Sequence, residues 1–552
     1  MADSQAPTAR LQDLREGSIK RIERASGAIV LVRDGDRVFA LSATCPHAGA
    51  PLEAGAVCHR RLVCPWHKAT FDLATGALLE PPALEGLRRF AVRIEGDNVH
   101  VAEAADVVEE VVKVHPDQRG ASDPRVFAVV GAGAAGASAC ATLREHGFSG
   151  RILLIDVETT RPYDRTALSK FVPSGDMKPD DVYPLLPDGF LAEHSIELIN
   201  SRVASLNAVS HEIETTDGVT LKYDVALVAT GGVPVHPDIA GLTDQHVAQR
   251  VVFLRSLVDA RELDALAQAH KRALVIGGSF IGLETASALR KRGIEVTVVM
   301  PQALAFEKQF GAEVARRLKR LHEENGTRFR CESEVKSIEW KGQALLAHLK
   351  SGEPIESDFV LVGTGVRPAT EFLQGVKRNK DGGISVDASM QVSAGQVGES
   401  KPVADANDVS SSGKAHSDDK ASKATLYAAG DIAAVSNEAG EGARIEHWRV
   451  AQQHGRIAAI NMAGLSASTP VVPFFWTFQC EKRFDYVGHA QSGDWTETRT
   501  IGSLEQLEFI TLYLRDDRVL AALGCNKESG MAWLAERMRD PLQVEEAVKT
   551  LE

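Results

Sequence analysis

The sequence predicts a multidomain chain: a small all-β domain at the N-terminus, two α/β units built on one plan, and an α+β domain at the C-terminus. Three observations carry that reading. Residues 10–105 hold short runs of strand-type residues and no sustained helical periodicity. Two glycine-rich turns, one starting at Gly131 and one at Gly277, each follow an apolar strand and open a helical stretch. Residues 470–552 mix strands such as Phe509-Ile-Thr-Leu-Tyr513 and Val519-Leu-Ala-Ala522 with a terminal helix. At 552 residues the chain is long enough for three or four domains.

Composition narrows the function. Apolar residues make up 44% and charged residues 25%, ordinary for a globular protein in water. With 62 basic and 75 acidic residues the net charge is −13, which argues against nucleic acid and anionic membrane as partners. No apolar run approaches the roughly eighteen residues of a membrane span, and the first residues have no apolar signal core. Seven scattered cysteines suggest a reducing, cytoplasmic compartment.

In the β domain, Ala28-Ile-Val-Leu-Val32 and Arg37-Val-Phe-Ala-Leu41 read as a hairpin around Asp34-Gly35. Val63, Phe71 and the alternating Phe90-Ala-Val-Arg-Ile94 continue the strand pattern. Within it lie two mixed pairs, Cys45-Pro-His47 and Cys64-Pro-Trp-His67. Two thiolates and two imidazoles can hold a Rieske [2Fe–2S] cluster, with Cys45 and Cys64 on one iron and His47 and His67 on the other. The prolines and nearby Gly49, Gly55 and Gly76 suit short loops that face each other. Structural zinc is the alternative, but zinc motifs keep like ligands together, whereas each pair here is mixed.

The wider text, Cys45-Pro-His47-Ala-Gly-Ala-Pro-Leu52 with Cys64-Pro-Trp-His67, resembles a Rieske ferredoxin. Many high-potential members carry a disulfide between the loops; the matching positions here are Ala50 and Trp66, and Lys68-Ala69 replaces a common hydroxyl. Fewer hydrogen bonds to the cluster predict a low potential, roughly −150 mV, fit for electrons that come from a nicotinamide.

Residues 106–123, acidic and then Pro-, Gly- and Ser-containing, read as a linker. Beyond it Arg125-Val-Phe-Ala-Val-Val130 is a buried strand that runs into Gly131-Ala-Gly133-Ala-Ala-Gly136. In this Rossmann-like pattern Gly131 permits the turn, Gly133 admits a pyrophosphate, and Gly136 lets helix pack on strand. The phosphates then sit on the free N–H groups of a helix start. The next strand, Arg151-Ile-Leu-Leu-Ile155, ends in Asp156, with Glu158 beyond; one of the two carboxylates should take the ribose hydroxyls.

The pattern recurs. Lys271-Arg-Ala-Leu-Val-Ile276 leads into Gly277-Gly-Ser279-Phe-Ile-Gly282-Leu-Glu284 and then Glu295-Val-Thr-Val-Val299. Ser279 replaces the second glycine with a small side chain. Two such units suggest two dinucleotides. The second strand ends at Met300-Pro301-Gln302, with neither the acid of an NAD site nor the arginine of an NADP site, so a modest preference for NADH over NADPH is expected. Residues 393–424 have no Leu, Ile or large aromatic residue and read as a flexible insertion.

Pro162-Tyr-Asp-Arg165, Leu168-Ser-Lys170, Ala229-Thr-Gly231, Gly363-Thr-Gly-Val-Arg-Pro368 and Gly430-Asp431-Ile-Ala, together with both glycine-rich turns, resemble flavoprotein ferredoxin reductases. His447-Trp448 and Pro473-Phe-Phe-Trp476, with the Rieske part in front, are similar to apoptosis-inducing-factor-like flavoproteins that carry such a domain. The resemblance implies an FAD domain at 124–245 and 360–465, interrupted by the insertion, an NAD(P) domain at 246–359 and an interface-type domain at 470–552. It implies that Arg165, Lys170, Val203, Ala229, Thr230, Gly231, Asp431 and Trp448 line the flavin, with Asp431 at a strand end before a helix. It further implies that Gly277, Ser279, Phe280, Ile281, Gly282, Glu284 and Gly365 serve NAD, with Lys170 and Glu284 facing each other at the flavin's reactive edge as catalytic candidates.

Two other chemistries fail on spacing. His447 and His454 are seven apart on a helical stretch, about 10.5 Å along its axis, too far for one iron. No Cys-x-x-Cys or Cys-x₄-Cys pair accompanies the first turn, which removes disulfide reductase chemistry. The expected function is electron transfer from NADH through FAD to the chain's own Rieske cluster and on to an external redox protein, an oxygenase among the candidates. A slow nicotinamide sensor is the alternative, and a homodimer is compatible with either.

Overall fold

The computed structural model describes residues 7–105, 123–393, 397–398, 425–436, 442–468 and 471–552. The linker expected at 106–123 lies outside them except for Asp123, and so does nearly all of the insertion expected at 393–424. Within that stretch Val397 bridges Val376 and the Gly398 N–H donates to the Gly375 carbonyl.

The N-terminal part is built from two antiparallel sheets. The larger has six strands and includes the hairpin Ile29–Asp34 with Arg37–Ser42. Asp34 pairs with Arg37, so the turn is Gly35-Asp36, one residue later than the sequence suggests. Gly35 takes the left-handed φ of +63° that a two-residue turn requires. The smaller sheet, Ala56–Cys58, Arg61–Val63, Thr70–Asp72 and Leu78–Glu80, carries the two Cys-His loops around its first strands. Both cysteines are buried in one apolar cluster with Leu52, Leu62 and Phe71.

The two α/β units each contain a five-stranded parallel sheet. The first orders as Ile196–Asn200, Arg151–Asp156, Val126–Val130, Val225–Val228 and Leu426–Ala428. The second orders as Val251–Val252, Phe359–Val362, Arg272–Ile276, Glu295–Val299 and Arg328–Arg330. Their central strands, Val126–Val130 and Arg272–Ile276, are apolar apart from Arg272 at the start of the second, as sheets covered on both faces require. Phe359–Val362 pairs with Arg272–Ile276, so the second unit runs to Val362; a boundary after residue 359 would cut a strand.

The helix Ala134–Glu145 packs on the later helix Trp448–Met462. Small residues allow it: a Cβ on Gly455 would stand 2.1 Å from the Ala135 carbonyl oxygen. Ser138 Oγ also donates to the Gln452 carbonyl at 2.9 Å. This contact sets the first turn of the later helix at the mouth of the first unit. The C-terminal part is a five-stranded antiparallel sheet, from Phe474–Gln479 to Glu497–Ser503 at its edges, with helices Glu528–Arg537 and Val544–Leu551.

Candidate redox site

At the carboxyl ends of the first parallel sheet lies a cavity of about 860 Å³, where open α/β sheets bind ligands. Gly131, Gly133, Asp156, Glu158, Arg165, Lys170, Val203, Ala229, Thr230, Gly231, Asp431 and Trp448 all line it. Gly131 has φ +105°, and a Cβ there would meet the Ala229 carbonyl oxygen at 2.4 Å. A Cβ on Gly136 would lie 1.8 Å from the Gly131 oxygen. A Cβ on Gly133, the residue before the helix, would meet nothing within 4 Å. The helix start has no side-chain cap, so its N–H groups are left for an anionic group.

The carboxylates are already committed locally. Asp156 accepts from the Ala132 and Glu158 N–H groups. Glu158 accepts from Arg165 and, at 2.6 Å, from the Tyr163 hydroxyl. Asp431 sits in the single 3₁₀ turn Gly430–Ile432, not before a full helix, with Oδ2 3.6 Å from Arg255. The indole N–H of Trp448 is buried without a partner, an orphan donor at the cavity wall.

The second turn copies the first. The Gly277 N–H donates to the Val299 carbonyl as Gly131 N–H donates to Ile155. A Cβ on Gly282 would stand 2.6 Å from the Gly277 oxygen. Ser279 is the N-cap, its Oγ accepting from the Gly282 N–H at 3.2 Å, so the hydroxyl folds back on the helix start. Phe280, Ile281 and Glu284 reach the large cavity, while Gly277, Ser279, Gly282 and Gly365 do not line it. Met300 takes the register place of Asp156 and is fully buried, its sulfur 2.6 Å from where a Cβ of Gly278 would be. The strand beside it brings Arg330 and Glu332 to the same end: Met300 N–H donates to the Arg330 carbonyl and Glu332 N–H to that of Gln302.

Lys170 and Glu284 meet across the wall of the large cavity. Lys170 Nζ donates to Glu284 Oε2 at 2.9 Å, Ser169 Oγ donates to the same oxygen at 2.5 Å, and Thr477 Oγ1 donates to Oε1 at 2.6 Å. Lys170 Nζ also lies 4.7 Å from the centre of the Trp476 ring.

The two Cys-His loops lie against this wall. The His47 and His67 rings are 4.9 Å apart; His47 is 5.9 Å from Trp448, and His67 is 6.3 Å from Trp448 and 5.7 Å from Trp476. Both Nδ1 atoms are buried and without hydrogen-bond partners. Burial holds both imidazoles neutral, His47 being pushed down to about 4, and neutral imidazole is the metal-binding form. The Cys45 and Cys64 sulfurs share a proton, which pushes the Cys45 thiol up and the Cys64 thiol down to about 6. Backbone N–H groups of His47, Ala48, Trp66 and His67 favour the thiolates. Among the described residues no three His, Cys, Asp or Glu converge as one metal ion would need, whereas a two-iron cluster takes only two protein ligands per iron. The residues fit a Rieske cluster.

What fastens the loops is a buried polar interface that local sequence does not announce. Lys68, one residue after His67, is fully buried; its ammonium donates to Asp485 at 2.7 Å and to the Pro65 carbonyl at 2.5 Å. Burial pushes this ammonium's pKa down, and Asp485 opposes the shift. Arg449 donates to the Lys68 carbonyl at 2.7 Å and to Glu80 at 2.8 Å, and Gln453 donates to Glu80 at 2.6 Å. Arg483 donates to the Trp66 carbonyl. On the other flank Ser529 Oγ donates to the Gly55 carbonyl at 2.9 Å, and Arg61 stands 3.2 Å from buried Glu536 without hydrogen-bond geometry. Arg449 and Asp485 were not singled out from sequence, and Lys68 and Trp476 were read only as motif residues with no docking role, because their partners are hundreds of residues away.

Burial pushes Glu536 up to about 7 from an ordinary 4.5, against the pull of Arg61 and Arg449. The folded protein therefore binds more protons here than the unfolded chain between those values. This carboxyl's contribution to stability falls as pH rises through that window and is level above it. Glu536→Gln should flatten that part of the pH dependence of thermal unfolding; a slope equal to that of the unaltered protein would contradict the assignment.

Comparison with known proteins agrees with the geometry. Residues 4–91 match the family "Rieske [2Fe-2S] domain", and residues 126–397 match "Pyridine nucleotide-disulphide oxidoreductase". Human apoptosis-inducing factor 3 is 30% identical over 544 residues, covering 96% of this chain and 83% of that protein. The chain belongs to the family of Rieske-bearing flavoprotein reductases. The reductase is also 28% identical to the ferredoxin–NAD(+) reductase component of 3-phenylpropionate/cinnamic acid dioxygenase from Photorhabdus laumondii, over 77% of this chain and 99% of that one. The solved covalent putidaredoxin reductase–putidaredoxin complex superposes with a TM-score of 0.65 at 26% identity, covering 77% of this chain and 99% of that chain. The reductase is thus an oxidoreductase of the ferredoxin–NAD(+) reductase type, with FAD, NADH and a [2Fe–2S] cluster as its cofactors. No described helix is long and apolar enough to cross a membrane.

Proposed function

We propose that the reductase passes electrons from NADH through FAD to its own cluster without an intervening diffusional step, and that the cluster hands them to an external redox protein. The observation that carries this is the contact of His47 and His67 with Trp448 and Trp476, which also line the large cavity. FAD supplies the conversion between a two-electron donor and a one-electron acceptor. The chain's residues supply the rest. Gly131, Gly133, Gly136 and Asp156 hold the dinucleotide end, and Arg165, Val203, Ala229, Thr230, Gly231, Asp431 and Trp448 surround the remainder of FAD. Lys170 and Glu284 border its reactive edge. Gly277, Ser279, Phe280, Ile281, Gly282 and Gly365 serve the nicotinamide cofactor. Cys45, His47, Cys64 and His67 ligate the cluster. The domains on this reading are 10–105, 124–245 with the later return up to 465, a nicotinamide unit from 246 through Val362, and 470–552. All seven cysteines are free, in keeping with a reducing cytoplasm.

The dioxygenase component among the relatives supports an oxygenase as the acceptor. The test is anaerobic titration of the holoprotein with NADH. Flavin bleaching followed by the signal of a reduced Rieske cluster in the same molecule is expected, with about one FAD and two irons per chain. Zinc in place of iron, or a flavin that reduces while the cluster never does, would refute the scheme.

Met300 at the ribose position offers the 2′-hydroxyl no acceptor, and the neighbouring strand brings charges of both signs, Arg330 and Glu332, to that end, which supports only a modest preference for NADH over NADPH. Met300→Glu should sharpen it, because an acceptor there would both bind the ribose and repel a 2′-phosphate, a contrast of about 1.5–3 kcal/mol. The ratio of kcat/KM for the two nucleotides measures it. An unchanged ratio would mean that Arg330, not Met300, governs the choice.

A further inference from the structure

NADH gives up a hydride, two electrons and one proton, whereas a [2Fe–2S] cluster takes electrons singly and no proton. Each turnover therefore runs NADH → NAD⁺ + H⁺ + 2 e⁻; the electrons leave through the cluster and the proton must leave the flavin cavity by another way. On the cluster side Trp448, Trp476 and the docked Cys-His loops close the cavity. Lys170 and Glu284 belong to its wall away from the cluster, and the same two residues line a second cavity of about 110 Å³. That volume holds several waters, since one needs roughly 10–15 Å³ by the same measure. Asp176, Lys291 and Glu481 line it as well, with side chains 44%, 41% and 68% exposed; Lys291 Nζ is 3.0 Å from Asp176 and 3.2 Å from Glu481.

We propose that Glu284 carries this proton from the flavin cavity into the small cavity, from which it reaches solvent past Asp176 and Glu481. The inference rests on the reductase reading above. A second hydrogen-bonded chain leaves Glu284: Thr477 accepts from Gln479 Nε2 at 3.0 Å, and Gln479 Oε1 faces His322 Nε2 at 2.8 Å. It ends at a fully buried histidine and passes through an amide, so it anchors the carboxylate and conducts nothing. Ser169, Lys170 and Thr477 thus fix both oxygens of Glu284 between the two cavities.

Cys480 lines the small cavity and is partly exposed, which gives a test independent of turnover. Holoprotein carrying Cys331→Ser is treated with methyl methanethiosulfonate, which forms a methyl disulfide on the thiol and releases methanesulfinate. Burial pushes the Cys480 thiol up to about 11, so labelling should be slow, accelerate with pH, and appear by mass spectrometry at Cys480. In the labelled protein NADH should bleach the flavin at the unlabelled rate, while proton release, followed with a pH-indicator dye, slows about 10²-fold. Glu284→Ala should slow proton release similarly, and formate, small enough for the cavity, should restore it. A folded protein whose Cys480 no small reagent reaches, or proton release that neither the label nor Glu284→Ala changes, would overturn the exit path. Failure of the untreated protein to reduce its cluster with NADH would instead overturn the reductase reading.

Discussion

Asp485→Leu is expected to release the N-terminal domain from the rest of the protein. The substitution leaves the ammonium of Lys68 fully buried with only the Pro65 carbonyl to accept from it. Stranding one member of a buried ion pair costs about 3–5 kcal/mol. That lowers the ratio of docked to undocked protein by about 10²- to several 10³-fold. Both cofactors should stay bound, because the Asp485 side chain is taken up by Lys68 and Arg483 and does not itself line the cavity. Stopped-flow measurement should show flavin reduction by NADH at an unchanged rate and cluster reduction slowed by the lost docked population. Asp485 also accepts from Arg483 at 2.7 Å, and Arg483 keeps the Trp66 carbonyl as its acceptor. Lys68→Met combined with Asp485→Leu therefore removes the fully buried charges and should recover the part of the loss due to Lys68, since an apolar pair of similar size can replace a buried ion pair at little cost. A double variant as slow as the single one would show that the pair acts on the cluster directly, not through docking.

His67→Ala is expected to abolish the cluster and with it the one-electron output. It removes one of two imidazoles on one iron, and the remaining three ligands cannot close a Rieske site. NADH should still bleach the flavin, because the glycine-rich turns and the Lys170–Glu284 pair are built from other segments. Reduction of a one-electron dye should fall to the level at which the flavin alone reacts, and the electron paramagnetic resonance signal of the reduced cluster should vanish. The void left beside Trp448 and Trp476 should also shift their fluorescence. Loss of FAD together with the cluster would mean that the two halves fold as one cooperative unit.

Two kinds of information were legible in the sequence. The glycine-rich turns were readable because a strand, a tight turn and a helix start follow one another locally in the chain. Gly131 and Gly277 both approach a neighbouring strand's carbonyl, and Gly136 and Gly282 both approach the turn behind them. The ligand pairs were readable because two mixed Cys-His motifs are rare by chance and chemically specific. Finer placement failed where register or long-range pairing decides. The hairpin turn slipped by one residue, the second unit gained a strand at Phe359–Val362, and Asp431 fell in a 3₁₀ turn. Arg330 came to stand beside Met300 only because its strand pairs in parallel with Glu295–Val299.

By itself the sequence determined which cofactors this protein can hold, because the atoms that bind them are specified by side-chain chemistry and short-range turns. Only the tertiary structure decided how the cofactor sites are joined. Lys68 reads in sequence as a lost hydroxyl donor and an ordinary charge, yet it is the buried half of a pair whose partner is 417 residues away. Trp476 reads as one aromatic in a strand, yet it lies between His67 and Lys170. Glu80 carries no signal in the sequence, yet it receives Arg449 and Gln453 from a helix that also packs on the first glycine-rich turn's helix. Burial is a property of the assembled surface, and the cost of burying a charge is met only by a partner that folding brings to it. No local pattern encodes that partner.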